Sequence, residues 1–201
     1  MQFAWRVPRI VSIVPAVMLA GLLSGCGINV IPTAEENAKA KWSDVQNQYQ
    51  RRADLIPNLV ETVKGYAAQE RDVLREVTEA RAKVSQIKVD ASTVTDPAKF
   101  KEFQDAQGAL TGALGRLLVT VERYPDLKSN QTYLALQSQL EGTENRIAVA
   151  RRDYIDAVRV YNTALRTFPT LIWAKTVFAG NKPMAEFTAS EGSEKPPQVK
   201  F

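Results

Sequence analysis

The sequence predicts an all-α protein, an elongated antiparallel helical bundle of four helices. Two observations carry this prediction: apolar residues recur in steps of three and four over long stretches, and few prolines interrupt them. A repeat of this length lines one side of a helix with apolar groups, which other helices must cover. The longest register comprises Trp42, Val45, Tyr49, Arg52, Ile56, Leu59, Val63, Tyr66, Glu70, Val73, Val77, Ala80, Val84 and Ile87.

The first two helices are predicted to be separated at Pro57. Proline lacks the donor that a helix interior needs and crowds the preceding turn, so the chain is expected to kink or turn there. The unbroken register favours a kink. A single helix over residues 34–89 would measure about 84 Å, which favours a turn, with Asp54 or Asn58 capping the second helix. We therefore predict a first helix over residues 34–53, and a second that ends near Val89.

Two further helices follow a loop rich in serine, threonine and aspartate. Asp96 and Pro97 are typical of a helix start, and the third helix is expected to end before Pro125. The fourth helix is predicted to begin near Asn130 and to end before Pro169. Its register contains two charged residues, Glu144 and Arg151.

Composition excludes several classes of site. The chain has no histidine and one cysteine among 201 residues, which removes histidine acid–base catalysis, cysteine–histidine nucleophiles and the usual metal sites, so we expect no cofactor and no metal. The formal charge is +4, but basic and acidic residues alternate along the helices as on a solvated surface. We therefore expect no nucleic-acid partner.

The N-terminus has the pattern of a secretion signal. A short basic segment precedes an apolar run over residues 10–22, which is too short to span a bilayer comfortably. The next residues, Leu23, Ser24, Gly25 and Cys26, resemble the lipobox of bacterial lipoproteins. The alternative is a plain signal anchor with Cys26 buried.

The lipobox resemblance implies a signal peptide over residues 1–25 and three acyl chains on Cys26, with palmitate expected among them. Several chains would hold the protein on a membrane. Gly27 favours the periplasmic face of the outer membrane if the source is Gram-negative. Residues 26–33 would form a tether, residues 34–178 the bundle and residues 179–201 a flexible C-terminal tail.

The mature chain resembles the LemA family. The resemblance rests on residues 51–66 (RRADLIPNLVETVKGY), 124–130 (YPDLKSN), 136–147 (LQSQLEGTENRI), 151–154 (RRDY) and 161–162 (YN). It implies a helical bundle attached to a bacterial membrane, and it supplies no activity or catalytic residues. Members usually carry an N-terminal transmembrane helix, which the lipobox replaces here.

Polar residues within the apolar registers are the candidate functional groups. They are Arg52, Glu70, Gln107, Glu144 and Arg151. A charge buried in such a seam costs several kcal/mol unless it is paired. One interpretation is that these residues pair with one another across helices and set the helix register, with Arg52 and Glu70 as the opposite-sign candidates for Glu144 and Arg151. The other is a buried site for a small polar ligand.

Two functions remain open on the sequence. The first is a membrane-anchored, non-enzymatic scaffold or adaptor that presents the bundle to another envelope protein. The second is an envelope enzyme or small-ligand-binding protein that uses the buried Glu, Arg and Tyr groups. Residues 171–178 are expected to pack on the bundle end or on the membrane. The apolar terminus at residues 199–201 would either fray or add as a strand to a partner.

Overall fold

The computed structural model describes residues 27–90 and 92–188, and within them it contains helices and no strand. The helices are α1 (Val30–Tyr66), α2 (Arg71–Gln86), α3 (Pro97–Val121), α4 (Pro125–Lys128), α5 (Gln131–Ala164) and α6 (Thr170–Lys175). The all-α class is confirmed, but the described chain forms six helices rather than four. Helix α1 packs along α5, and α2 packs against α3.

The predicted turn at Pro57 is wrong, because α1 is one helix of 37 residues that runs through this proline. Pro57 leaves the carbonyl of Ala53 without its usual intrahelical donor. The guanidinium of Arg81, on α2, donates through Nε to this oxygen at 2.9 Å. The helical run is interrupted instead between Tyr66, where α1 ends, and Arg71, where α2 begins. Helix α5, with 34 residues, gives α1 a partner of similar length.

The helix starts near Asp96 and Asn130 are confirmed by capping bonds. The Asp96 carboxylate accepts from the backbone N–H of Ala98 at 2.9 Å, and the Asn130 side chain accepts from that of Tyr133 at 3.0 Å. Each bond satisfies one of the donors that the first helical turn leaves free.

The core consists of two apolar clusters, one above the other along the bundle. The first is rich in aromatic rings: Trp42 lies within 5.2–6.2 Å, centroid to centroid, of four of them. These four are Phe100, Phe103, Tyr154 and Phe187. The second is mainly aliphatic and includes Ile56, Leu59, Val63, Val77, Leu110, Leu117, Leu127 and Leu140.

Both ends of the predicted bundle need correction. Helix α1 begins at Val30, and Ile31 is fully buried, so residues 30–33 belong to the bundle rather than to a tether. Residues 181–188, expected in a flexible tail, lie on the bundle: Met184 and Phe187 are buried, and the backbone N–H of Ala185 donates to Val94 at 2.7 Å. The signal peptide, Cys26 and residues 189–201 lie outside the described residues.

Candidate functional site: a buried arginine layer

Arg52 lies on α1 where the two apolar clusters meet, and its side chain is 1% exposed. One terminal nitrogen donates to Glu144 Oε1 at 2.9 Å and to Thr111 Oγ1 at 2.8 Å. The other donates to Gln107 Oε1 at 2.6 Å and to the Gln107 carbonyl at 3.3 Å. These four residues form the arginine layer, in which one side chain joins α1, α3 and α5.

The arginine layer exists because three apolar registers each place a polar residue at the same height. Gln107 occupies a seam position of α3, and Glu144 occupies one of α5. The aromatic cluster reaches the layer at Tyr49 and Phe103, and the aliphatic cluster resumes at Ile56. A polar layer inside an apolar seam penalises every register in which its partners do not meet.

The electrostatics of the layer are asymmetric. The Glu144 side chain is 39% exposed, so its charge keeps part of its hydration while Arg52 has lost nearly all of its own. The guanidinium carbon lies 5.0 Å from the centroid of the Tyr49 ring, a favourable cation–π contact. The Arg52 Nε–H is buried and has no partner among the described residues. The layer therefore retains one unsatisfied donor.

Tyr49 places a titratable phenol beside the layer. Burial raises the pKa of its phenol, while the nearby charges of Arg151 and Arg52 act in the opposite direction. Arg151 itself lies over the ring of Phe187, with its guanidinium carbon 4.4 Å from the ring centroid. It thus ties α5 to the segment that follows α6.

Glu70 lies elsewhere, at the end of the bundle where α1 gives way to α2. Its carboxylate accepts from Arg123 at 3.0 Å and from the Tyr124 hydroxyl at 2.6 Å. The hydrogen bond to Glu70 raises the pKa of Tyr124. The structure therefore pairs Arg52 with Glu144, but it does not bring Glu70 to Arg151.

The segments that carry the resemblance meet at this same end. The side chain of Asn130, which caps α5, also donates to the Tyr66 hydroxyl at 2.9 Å. Tyr66 ends the 51–66 segment, and Asn130 ends the 124–130 segment, so the two signatures are joined by a direct contact. A sequence model described as the LemA family matches residues 41–201.

The chain belongs to the LemA family.

Three curated relatives show how far the likeness extends. Magnetosome protein MamQ 2 of Paramagnetospirillum magneticum is 29% identical over 79% of this chain and 63% of its own length. Magnetosome protein MamQ of Magnetospirillum gryphiswaldense is 29% identical over 70% and 58%. Protein LemA of Metamycoplasma hominis is 30% identical over 73% and 62%. This LemA-family chain thus spans about three fifths of the length of these relatives.

The described part of this LemA-family chain lacks two further features, a metal-binding cluster and a membrane-spanning helix. Residues 27–90 and 92–188 contain no group of three or more acidic, cysteine or histidine side chains placed to hold a metal ion. None of the helices in these ranges is both long and apolar enough to cross a bilayer. The predicted lipidation site, Cys26, lies one residue before the first described one.

Sequence reasoning missed two of the residues that support α1. Thr111 joins the arginine layer from an exposed position of α3, where its pattern gives no signal. For Arg81 the sequence gives half a signal: a proline inside a helix frees a carbonyl, which requires a donor from elsewhere, but nothing in the pattern identifies that donor.

Proposed function

We propose that this protein is a membrane-anchored, non-enzymatic helical scaffold or adaptor of the bacterial cell envelope, held by lipid on Cys26. The observation that carries the proposal is the short distance between the predicted anchor and the fold. Gly27 to Asn29 form a turn, and α1 begins at Val30. Acyl chains on Cys26 would therefore hold the bundle close to the membrane, with no long flexible linker between the two.

The polar groups of the apolar registers support a scaffold because they are engaged with neighbouring side chains. Arg52 is held by Glu144, Gln107 and Thr111, and Glu70 is held by Arg123 and Tyr124. Groups that pair internally in this way set helix register. Membership of the LemA family supports membrane association, and the Gly27 that follows the cysteine favours the periplasmic face of the outer membrane in a Gram-negative cell.

Substitution of the cysteine tests the anchor. Cys26→Ser should release the protein from membranes or leave an uncleaved precursor, because no thiol would remain to accept the lipid. Ser24→Ala, which keeps a small residue beside the cleavage point, is the matched control and should be processed normally. Membrane association with a mature chain of normal size in Cys26→Ser would contradict the anchor.

The adaptor role requires a partner, for which the C-terminal residues 196–201 are the proposed contact. Their apolar end and free carboxylate suit addition to a sheet edge. Deleting them should leave the melting temperature unchanged and reduce partner recovery after cross-linking in cells. Deleting residues 190–195 instead preserves the terminus and serves as the control. A destabilised bundle with an unaltered partner list would assign the tail to the fold.

A small-ligand-binding role is the alternative, and the free Nε–H of Arg52 is the observation that favours it. An open groove of about 410 Å³ is lined by Tyr49, Gln50, Ala53 and Phe103 among others, two of which precede and follow Arg52 closely in the sequence. A ligand that accepted from the Arg52 Nε–H would be an anion, because the guanidinium is positively charged. Calorimetric titration with inorganic phosphate and with succinate decides between the roles: the scaffold gives no saturable heat, whereas a binding protein gives heat that Arg52→Met abolishes.

A further inference from the structure

We infer that the bundle end formed by the start of α1 and residues 165–178 is a lipid-contacting face that rests on an anionic membrane surface. The inference builds on the proposed lipid anchor and adds the orientation of the protein and the chemistry of the lipid. This membrane-facing end combines exposed apolar groups, unpaired basic groups and the start of the described chain.

The apolar groups are concentrated at this end. Phe168 is 79% exposed, Val177 57%, Ile172 52% and Val30 42%. The other large exposed hydrophobic residues of the described chain are distributed over α1, α3 and α5: Tyr66, Val119, Leu134, Val149 and Val160. A phenylalanine and an isoleucine four residues apart, both held out into water, are typical of a surface that a second apolar phase covers.

The unpaired charges at the same end are all basic. Residues 157–185 contain no Asp or Glu, and neither do residues 27–34. Arg166, Lys175 and Lys182 are exposed, and none forms an ion pair with another described residue. The first acids on α1, Glu35 and Glu36, both pair with Lys39, at 2.8 Å and 2.9 Å, and Glu35 also accepts from Asn181 at 2.8 Å. Basic groups around an apolar face are attracted to anionic headgroups.

The chain places the anchor beside this face. A β-carbon added to Gly27 would lie 3.6 Å from the Trp173 indole nitrogen and 3.9 Å from the Thr170 methyl carbon. Gly27, which directly follows Cys26 in the sequence, therefore lies against α6. Lipid on Cys26 therefore brings Phe168 and Ile172 to the bilayer. Trp173, half-buried among them, is a residue type suited to the headgroup region.

The test compares two positions of similar exposure at opposite ends of the bundle. Ile172 and Leu134 are 52% and 47% exposed, and Leu134 lies about 45 Å from the α6 end of α5. Each is replaced by cysteine in the full chain, labelled with an environment-sensitive dye and returned to vesicles of phosphatidylcholine, with or without phosphatidylglycerol. Melting temperatures confirm that both variants, Ile172→Cys and Leu134→Cys, fold.

The emission of the dye at position 172 should shift to the blue. Lipids with brominated acyl chains should quench this emission several-fold more than that of the dye at position 134. Phosphatidylglycerol should strengthen this quenching, and Arg166→Glu with Lys175→Glu should remove that increase. Equal quenching at both positions would overturn the lipid-contacting face. Quenching that is unaffected by phosphatidylglycerol and by the two charge-reversing substitutions would overturn its preference for anionic lipid.

Failure of the anchor is distinguishable in the same experiment. Dye uptake by the parent chain would reveal a free Cys26 thiol and refute the anchor. Any dye on Cys26 is common to both labelled variants, so the difference between positions 172 and 134 still decides the orientation.

Discussion

The contact that lets α1 pass through Pro57 can be tested by removing its donor. Arg81→Leu keeps an aliphatic side chain on α2 but takes away the Nε–H that reaches the Ala53 carbonyl at 2.9 Å. Ala53 is 4% exposed, so water replaces the lost donor poorly. We expect the free energy of unfolding to fall.

The magnitude follows from the groups involved. A hydrogen bond from a charged donor contributes about 1.5–3 kcal/mol net, and a buried acceptor without a partner costs about 1–3 kcal/mol. Arg81 is itself partly exposed and regains some hydration when the contact is broken. We therefore expect Arg81→Leu to cost about 2 kcal/mol.

A double-mutant cycle with Pro57→Ala identifies the cause of this loss. The Pro57→Ala variant restores a backbone N–H at position 57, which can donate to Ala53, so the Arg81 contact becomes redundant. In that background Arg81→Leu should cost at least about 1 kcal/mol less than in the parent. Urea unfolding followed by circular dichroism measures all four proteins.

A surface arginine on the same helix provides the matched control. Arg75 is 68% exposed and pairs with Asp72 and Glu79 on its own helix, so Arg75→Leu should change stability by less than about 1 kcal/mol. If Arg81→Leu costs the same in the parent and in the Pro57→Ala background, the freed carbonyl is not what Arg81 supports, and the reasoning is refuted.

Three further predictions concern the core. Glu144→Ala should lower the free energy of unfolding, measured in urea, by about 1–3 kcal/mol. This is below the range of about 3–5 kcal/mol for fully buried pairs because Glu144 is 39% exposed. Glu144→Gln should lower it less than Glu144→Ala, and Arg52→Ala should lower it more. Phe187→Ala should lower the free energy of unfolding by about 3 kcal/mol, since it removes a ring from the aromatic cluster; an unchanged melting temperature would show that residues 181–188 are not part of the fold. Burial raises the pKa of Tyr154, so the folded state favours the neutral phenol. The contribution of Tyr154 to the free energy of unfolding is therefore complete below a pH of about 10, and it is lost as the pH rises through the higher pKa of the folded state. Tyr154→Phe should flatten this alkaline loss, and an unaltered slope in melting temperature against pH would contradict it.

Periodicity located the buried faces because burial follows the helix period directly. Trp42, Val45, Ile56, Leu59 and Val63, all in the predicted register, are at most 5% exposed. The same pattern predicted polar seam positions at Arg52 and Gln107, which the structure buries. Capping chemistry located two helix starts, since Asp96 and Asn130 each have a side chain that accepts from the first turn.

Long-range contacts decided what the periodicity left open. Pro57 is tolerated because Arg81, 24 positions later, supplies a donor, and no local pattern reports that pairing. Residues 181–188 lack periodicity because α5 side chains hold this segment through its own backbone groups. The Tyr154 hydroxyl donates to the Ala185 carbonyl at 2.8 Å, and Asn162 both donates to and accepts from the Met184 backbone at 2.9 Å.

The residues that carry the family resemblance therefore make identifiable structural contacts. Arg52 joins three helices, Tyr66 and Asn130 join two signature segments, and Asn162 holds the segment after α6. A signature made of such contacts specifies a bundle and leaves the choice of partner to exposed residues outside it. Phe168 and Ile172 are exposed residues of this kind, because neither lies in a signature segment and neither is covered by the described chain. We therefore propose that the functional surface is the bundle end that carries Phe168 and Ile172, where substitutions should alter location while the melting temperature stays constant.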